Sequence, residues 1–261
     1  MAEPADHWHP GAAYLYVLHL DGLGLAWEYL RRHPDYRRDW LRRCRHPDAA
    51  QRWGLRLLED PALDARDAHP AWFPDHDSVV RLQPDDDPPP DAVAFDFWRI
   101  PGNKQLIHDG RRLVLLTRWP GSHVRLALAP GLAHGMAYTY AVRASVQPYP
   151  RCRALAGALD TLDDVALPVA ARPRPAATAL LELHTLQALD GTLAGASLRA
   201  VADALFGAET LRQDWHADGA LRARVRRLVR RGQRLMRGGY RRLAQLPEPE
   251  QGRFADRAQR P

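Results

Sequence analysis

The 261-residue chain contains 46% hydrophobic and 26% charged residues, which excludes an intrinsically disordered protein and allows one large domain or two to three small ones. Its net charge of +6 favours an anionic partner, but because Lys104 is the only lysine, the placement of the arginines is more informative than their number. Two cysteines exclude a disulfide framework and no apolar run is long enough to cross a membrane, so we expect a cytoplasmic protein.

Residues 1–80 predict a small helical domain. One helix is expected over 22–32 and a second from Asp35, and Asp48 is expected to cap a third helix that carries residues 53–58. This part of the chain is rich in tryptophan. Tryptophans in a small unit favour a hydrophobic core, and the alternative is that they form a surface for a protein partner. The tryptophans are Trp27, Trp40, Trp53 and Trp72.

Residues 91–150 predict a small antiparallel β-sheet. Asp109-Gly110 is a strong hairpin signal, because a type I′ turn needs positive φ. Upstream, residues 85–90 combine three aspartates with three prolines, which excludes regular structure and indicates a loop or a linker. The strand-like runs cover residues 93–100, 105–108, 113–118 and 124–128.

Residues 176–247 predict a helical domain, followed by a flexible tail over 248–261. Ser197 is expected to cap a short helix that ends at Gly207. The expected helices cover residues 176–189 (ending at Gly191), 198–206, 209–215 and 221–237 (ending at Gly238). The chain as a whole is therefore predicted to be α+β, with a helical N-terminal unit, a small antiparallel β-sheet in the middle and a helical C-terminal domain.

The helix predicted over 221–237 has one apolar face and one face covered by arginines. At about 100° per residue its apolar side chains span roughly 120°, the width of a core-facing stripe. No acidic residue occurs between Ala220 and Leu246. Arginines at i,i+4 spacing, such as Arg226 and Arg230, repel each other by about 0.2–0.5 kcal/mol per pair, so this face is suited to an anionic partner. The apolar residues are Leu221, Val225, Leu228, Val229, Gly232, Leu235 and Met236.

Double-stranded DNA is the favoured partner for this face, because arginine contacts both phosphates and the guanine edge in the major groove. The alternative is that this face is simply a basic, solvated surface of an arginine-rich protein and binds no partner. A basic amphipathic helix can also lie on an anionic membrane, but the apolar face here has no aromatic residue, so we expect no membrane partner.

The order of the C-terminal elements favours a helix-turn-helix-like unit. A capped short helix, a turn and then a basic helix is the order in which the second helix enters the major groove. The connection from Phe206 to Gly219 is longer than the usual turn and is expected to hold an extra helical turn packed by Trp215.

Three C-terminal segments carry a family resemblance: residues 195–207 (GASLRAVADALFG), 221–231 (LRARVRRLVRR) and 238–243 (GGYRRL). They resemble the DNA-binding domain of the RovC-type transcription activators, a family associated with type VI secretion and with activators of integrative and conjugative elements. Residues 26–32 (AWEYLRR), with Tyr36 and Trp40 following, resemble the transcriptional-regulator-like domain that often precedes it. The resemblance implies an activator that binds promoter DNA through its C-terminal domain.

The helical wheel, not the family, selects the candidate DNA contacts. The first candidates centre on the outward face, and they are Arg226, Arg227, Arg230 and Arg234. The flanking candidates, which could reach phosphates, are Arg222, Arg224, Arg231 and Arg237. Beyond the two glycines, Arg241 and Arg242 are candidate phosphate clamps.

We expect no catalytic residue, no metal and no cofactor. The pairs His7 with His9 and Cys44 with His46 lack a second pair at zinc-site spacing, and no nucleotide-binding glycine motif occurs. An enzyme acting on DNA would need paired carboxylates near the basic helix, but the only acidic residues after Ala220 lie in the tail. They are Glu248, Glu250 and Asp256.

The expected partners follow from the promoter-binding interpretation. A regulator that reads repeated half-sites usually oligomerises, so we expect a homo-oligomer, and RNA polymerase is a second candidate partner. The alternative is a protein–protein interaction module, or an accessory protein of a mobile element or secretion system, without direct DNA contact.

Overall fold

A computed structural model describes residues 8–43, 49–73, 79–108, 112–119, 122–142, 144, 148–163, 177–216 and 219–246. The chain divides into two compact units, one formed by Met1–Pro70 together with Arg174–Pro261 and the other by Ala71–Pro173. The first unit is helical and the second contains a β-sheet, so the predicted α+β class is confirmed. None of the described helices is long and apolar enough to cross a membrane.

Both ends of the chain contribute helices to the first unit. The N-terminal elements are a 3₁₀ helix (Gly11–His19), α1 (Gly22–Leu30), α2 (Pro34–Leu41) and α3 (Ala49–Arg52). The next helix, α4 (Pro148–Asp163), belongs to the second unit. The C-terminal elements are α5 (Ala177–Leu193), α6 (Leu198–Asp214), α7 (Ala220–Arg234), a π-helical turn (Leu235–Gly239) and α8 (Tyr240–Leu243).

The second unit is built on a five-stranded sheet of order β2-β3-β4-β1-β5. β2, β3 and β4 form consecutive antiparallel hairpins, but β1 pairs in parallel with β4. The sheet is therefore mixed and not antiparallel throughout, because the chain crosses from β1 to the far edge before it forms the hairpins. The strands are β1 (Val79–Pro84), β2 (Asn103–His108), β3 (Leu113–Trp119), β4 (Ser122–Leu128) and β5 (Tyr138–Ala141).

Three of the four predicted strands are confirmed, and the strand predicted over 93–100 is wrong. That segment makes one isolated bridge, Ala94 to Ala137, and it inserts Phe95 into the core of the sheet unit. The apolar side chains of this segment therefore pack against the sheet, and its backbone does not pair as a strand of the sheet. Residues 85–90 form a loop inside this unit, and Asp109-Gly110 lies outside the described residues.

The N-terminal helices agree with two of the three predicted helices. The side chain of Asp21 accepts a hydrogen bond from the amide of Gly24 and caps α1. α3 ends at Arg52, so the prediction that residues 53–58 are helical is wrong. The backbone adopts φ +74° at Gly54. The expected cap Asp48 lies outside the described residues.

Tryptophans form much of the N-terminal core. Trp27 and Trp53 are buried, and the ring of Tyr36 lies edge-on to both at centroid distances of 5.6 Å. Trp72, at the start of the second unit, is buried as well, and Trp40 is half-buried. The prediction of an N-terminal core is thus confirmed for Trp27 and Trp53, whereas Trp72 is buried in the other unit.

Residues from the two ends of the chain share one core, which the sequence did not reveal. Trp8 packs in a buried cluster with Val201 of α6. The side-chain amide of Gln187 in α5 donates to the carbonyl oxygen of Trp8 at 3.1 Å, and the Tyr14 hydroxyl donates to Asp190 at 2.7 Å. The N-terminal segment is therefore part of the packing of the C-terminal helices.

A buried arginine connects α1 to α5. The Nε and Nη2 atoms of Arg32 donate to the two carboxylate oxygens of Asp190 at 2.6 and 2.7 Å, and Nη1 pairs with the carboxylate of Glu28. Burial raises the pKa of Asp190 and of Glu28, but the adjacent Arg32 guanidinium outweighs it and holds both pKa values below their usual range. All three side chains are thus charged in the folded protein.

Replacing Arg32 by methionine is expected to destabilise the first unit by about 3–5 kcal/mol, because buried Asp190 loses its cation and buried Glu28 keeps only its pairing with Arg31 at 2.8 Å. Urea unfolding followed by tryptophan fluorescence measures the change. Arg66→Met is the matched control, since Arg66 pairs with Asp64 while 62% exposed and its loss should cost about 0–1 kcal/mol. Equal losses in the two variants would contradict the structural role of the buried pair.

Acid is expected to destabilise the first unit through the same two carboxylates. A carboxylate with a lowered folded pKa contributes stability above its unfolded pKa of about 4 and loses it as the pH falls through the folded value. The contribution of these two carboxylates to the urea midpoint should therefore be constant above about pH 5 and be lost below about pH 4. His33 and His184 of the same unit have pKa values lowered by burial, so they reduce the midpoint separately as the pH falls below about 6.5. A midpoint that rises in acid would contradict the ionised state of Glu28 and Asp190.

Candidate nucleic-acid interface

The predicted orientation of the arginine-rich helix is confirmed. α7 buries Leu221, Val225, Leu228, Val229 and Gly232, and the following π-helical turn buries Leu235 and Met236. These are the seven residues that the helical wheel assigned to the apolar face. Apolar residues that recur every three to four positions form one stripe along a helix. When this stripe is buried, the opposite face of the helix points towards solvent.

α7 packs closely on α5 because Gly232 has no side chain. A Cβ atom at this position would lie 3.0 Å from Cβ of Leu189 and 3.2 Å from the carbonyl oxygen of Thr185. The predicted end of α5 at Gly191 is wrong, since the helix continues to Leu193 and Gly191 packs inside it against Trp8. A glycine required for close packing was thus mistaken for a helix stop.

α6 also packs against α7 and is bent at a glycine. Ser197 accepts a hydrogen bond from the amide of Ala200 and caps the helix as predicted. Gly207, at φ +82°, separates residues 198–206 from a second helical segment, in agreement with the predicted stop and the predicted extra turn. Trp215 at the end of α6 packs against the same buried cluster as Leu221.

Most of the candidate arginines are exposed. Among the first candidates, Arg226, Arg227, Arg230 and Arg234 are all exposed, as are the flanking Arg224 and Arg237 and the more distant Arg242. The half-buried candidates are Arg222, Arg231 and Arg241. The structure thus brings together on one helix surface the four residues that the wheel placed at its centre.

Arg231 turns towards the protein interior. Its guanidinium pairs with the carboxylate of Glu182 in α5, and the other oxygen of Glu182 accepts a hydrogen bond from the Tyr29 hydroxyl at 2.6 Å. Burial, and then the negative charge of Glu182, raises the pKa of Tyr29, so its hydroxyl keeps its proton. Arg231 therefore joins α7 to α5 and α1.

Glu182 and Tyr29 are site residues that the sequence analysis missed. A signal was present, because Glu182 is an isolated acidic residue among the apolar residues of α5. A buried carboxylate needs a charged partner, and the basic helix is the largest group of arginines without an intervening acidic residue in the chain. The pattern predicts pairing but does not identify which arginine provides it.

Two other candidates lie beside neighbouring elements. The guanidinium of Arg224 lies 4.7 Å from the centroid of the Phe206 ring, next to the bend in α6. Arg241 lies beyond the predicted helix stop at Gly238, where the chain forms the π-helical turn and then α8. One of its Nη atoms donates to the carbonyl oxygen of Arg52 at 3.3 Å.

Within the described residues, no group of three or more histidine, cysteine or acidic side chains is arranged to hold a metal ion. His7, Cys44 and His46, which the sequence analysis considered as ligands, lie outside the described residues. Glu248, Glu250 and Asp256, in the predicted tail, also lie outside them.

Family models match three successive parts of the chain. The RovC DNA-binding domain, described as a type VI secretion system transcription factor DNA-binding domain, matches residues 126–245. A proteobacterial transcriptional regulator-like domain matches residues 7–57, and a domain of unknown function matches residues 77–124. Among curated proteins, no significant match to the chain was found.

The chain thus has the domain composition of a DNA-binding transcription regulator, and the resemblance stated from the sequence is confirmed. Within that class, its C-terminal match is to the DNA-binding domain of RovC, and this match includes α5 to α8 and every candidate arginine. The match begins in β4, upstream of the boundary at residue 176 that the sequence predicts.

Val225→Asp is expected to unfold the C-terminal helices, because Val225 is fully buried and the new carboxylate would have no partner there. Arg226→Asp is the control, since it introduces the same side chain one residue further on at an exposed position. Circular dichroism and thermal unfolding distinguish the two. A folded Val225→Asp protein would show that the apolar face of α7 is wrongly assigned.

Proposed function

We propose that this protein is a sequence-specific transcription activator that contacts double-stranded DNA with the outward face of α7. The observation that carries the proposal is a rigidly held helix whose exposed side chains are of one sign. Arg226, Arg230 and Arg234 follow each other at i,i+4 spacing, and no acidic residue of α7 offsets their repulsion. A phosphate backbone supplies the missing negative charge.

The candidate arginines divide by environment in this proposal. Arg226, Arg227, Arg230 and Arg234 contact DNA directly, and one or two of them read guanine edges through their paired N–H groups. The flanking Arg224 and Arg237 reach phosphates. Arg231 acts as a positioning residue, since its ion pair with Glu182 limits rotation of α7 about its own axis.

The arrangement before α7 supports a helix-turn-helix-like mode of binding. The first segment of α6 braces α7 through Val201 and Ala202, which share a buried cluster with Val225. The second segment of α6, after Gly207, occupies the connection that is a tight turn in the shorter versions of the motif. Docking of α7 into the major groove with α6 across the backbone is therefore the proposed geometry.

The remaining parts of the proposal rest on the regulator class and not on a contact in the structure. We propose a cytoplasmic homo-oligomer without catalytic activity, in which the oligomer reads repeated half-sites. Activation implies contact with RNA polymerase, directly or through the assembled complex. An interaction module without DNA contact is the alternative that the following experiment distinguishes.

Arg230→Ala combined with Arg234→Ala is expected to weaken DNA binding without unfolding the protein, because both side chains are exposed. Binding to genomic fragments, including the region upstream of the protein's own gene, is measured across a salt series. The slope of log K against log salt should become less steep by about 1.8, or about 0.9 for each lost phosphate contact. Arg66→Ala with Arg99→Ala removes the same charge from exposed positions outside α7 and should leave the slope unchanged.

Unchanged affinity in the α7 double variant would remove this face from the DNA contact. Failure of the unmodified protein to bind any fragment at low salt, with its helices folded, would favour the interaction module instead. Weak, uniform binding to all fragments would support phosphate contact but contradict sequence specificity.

A further inference from the structure

A second group of exposed arginines lies on the N-terminal helices. Arg38 belongs to α2, Arg42 and Arg43 follow its last residue, and Arg52 ends α3. All four are exposed, and the guanidinium of Arg43 lies 3.8 Å from the centroid of the Trp40 ring. We name these four residues the N-terminal arginine cluster. The proposed contact of α7 with DNA does not use them.

Direct hydrogen bonds join the backbone at Arg52 and Trp53 to α8. The Tyr240 hydroxyl donates to the carbonyl oxygen of Trp53 at 3.1 Å, and Arg241 donates to that of Arg52. The guanidinium of Arg52 in turn lies 4.6 Å from the centroid of the Trp53 ring. Arg52 therefore has a defined position beside α8, within the same compact unit as α7.

Positive charges from both ends of the chain converge at this junction. The pKa of His33 is lowered first by burial and also by the charges of Arg52, Arg237 and Arg38, against the opposing effect of Asp35. The His33 ring itself lies 4.9 Å from the Trp53 ring. Arg237 of the C-terminal part is thus close to the same imidazole as two members of the N-terminal arginine cluster.

The acidic residues at the junction offset the positive charge only in part. Asp35 pairs with Arg38, and Asp39 pairs with Arg52 at 3.3 Å. Arg42 and Arg43 have no carboxylate partner in the described part of the chain. The surface at the end of the basic helix therefore stays positively charged after these pairs are counted.

Arg52 of the cluster lies beside α8, which follows the C-terminal end of α7. Arg230 and Arg234 lie about 40° apart on α7, and Arg237 follows them in the π-helical turn. These arginines form a row that leads towards Arg237 and so to the junction at His33. A duplex carries about one phosphate charge per 1.7 Å of its axis, so DNA that follows this row presents further phosphates beyond its end.

We propose that the N-terminal arginine cluster is a second DNA-binding surface, which holds backbone phosphates next to the segment bound by α7. This inference rests on the proposed function, because it extends the same DNA contact into the N-terminal regulator-like domain. The cluster positions the duplex and carries no sequence information, since phosphate contacts are the same for every base pair. The protein is accordingly expected to cover a longer stretch of DNA than α7 would cover alone.

The test compares Arg42→Gln plus Arg43→Gln with the unmodified full-length protein on mixed-sequence fluorescent duplexes of two lengths, about 6 base pairs closed by a hairpin loop and about 40 base pairs. On the long duplex, the variant should bind more weakly, and its salt slope should be less steep by about 1.8. The short duplex, at about 3.4 Å per base pair, is no longer than the roughly 22 Å of α7, so variant and unmodified protein should bind it alike. Arg66→Gln plus Arg99→Gln is the control, and thermal unfolding verifies that all variants are folded.

Two outcomes overturn this inference, and they are distinguishable. If the Arg42/Arg43 variant matches the unmodified protein on both duplexes while Arg230→Ala plus Arg234→Ala binds weakly, the second surface is absent and α7 still contacts DNA. An acidic protein partner would then be the remaining candidate for the cluster. If neither variant weakens binding to either duplex, the proposed function and the extension fail together.

Discussion

The buried charges between α1 and α5 are the constraint on which the first unit depends. Arg32 lies between Glu28 and Asp190, and each partner would be costly to bury alone. Because Glu28 and Arg32 lie at the N-terminal end of the chain and Asp190 near the C-terminal end, satisfying these charges brings the two ends together. Trp8 and Tyr14 add apolar contacts and a further hydrogen bond to the same assembly.

A third carboxylate connects this arrangement to the arginine-rich helix α7. Glu182 binds Tyr29 of α1 and Arg231 of α7, so one acidic side chain connects three helices. Together with the close packing at Gly232, this pairing leaves little freedom for α7 to rotate or withdraw from α5. A helix that is already held in place loses less entropy on binding, which supports the proposed contact of α7 with DNA.

The arginines of α7 therefore have two physical roles. The one that pairs inward contributes to the fold, whereas the outward ones repel each other and are left for an anionic partner. The match to the RovC DNA-binding domain covers both kinds, and it also includes part of β4, all of β5 and α4 in the second unit. Domain limits defined by family matching and by compactness thus differ in this chain.

The sequence alone determined the features that depend on local periodicity and capping. The apolar stripe of α7, the cap at Ser197 and the break at Gly207 follow from side-chain spacing and backbone preferences within a few residues. The family resemblance came from the same segments. These local rules predict the four exposed arginines at the centre of the outward face, but not that Arg231 at its flank pairs inward with Glu182.

The contacts between residues far apart in the chain could not be predicted from the sequence. Gly191 has the sequence signature of a helix end but is used for close packing, and the run 93–100 has strand character but covers a sheet. The pairing of Arg32 with Asp190, and of Arg231 with Glu182, depends on the path of the chain between them. Electrostatic partners separated by many residues leave no spacing pattern, because any buried carboxylate can be satisfied by any arginine that the fold brings within reach.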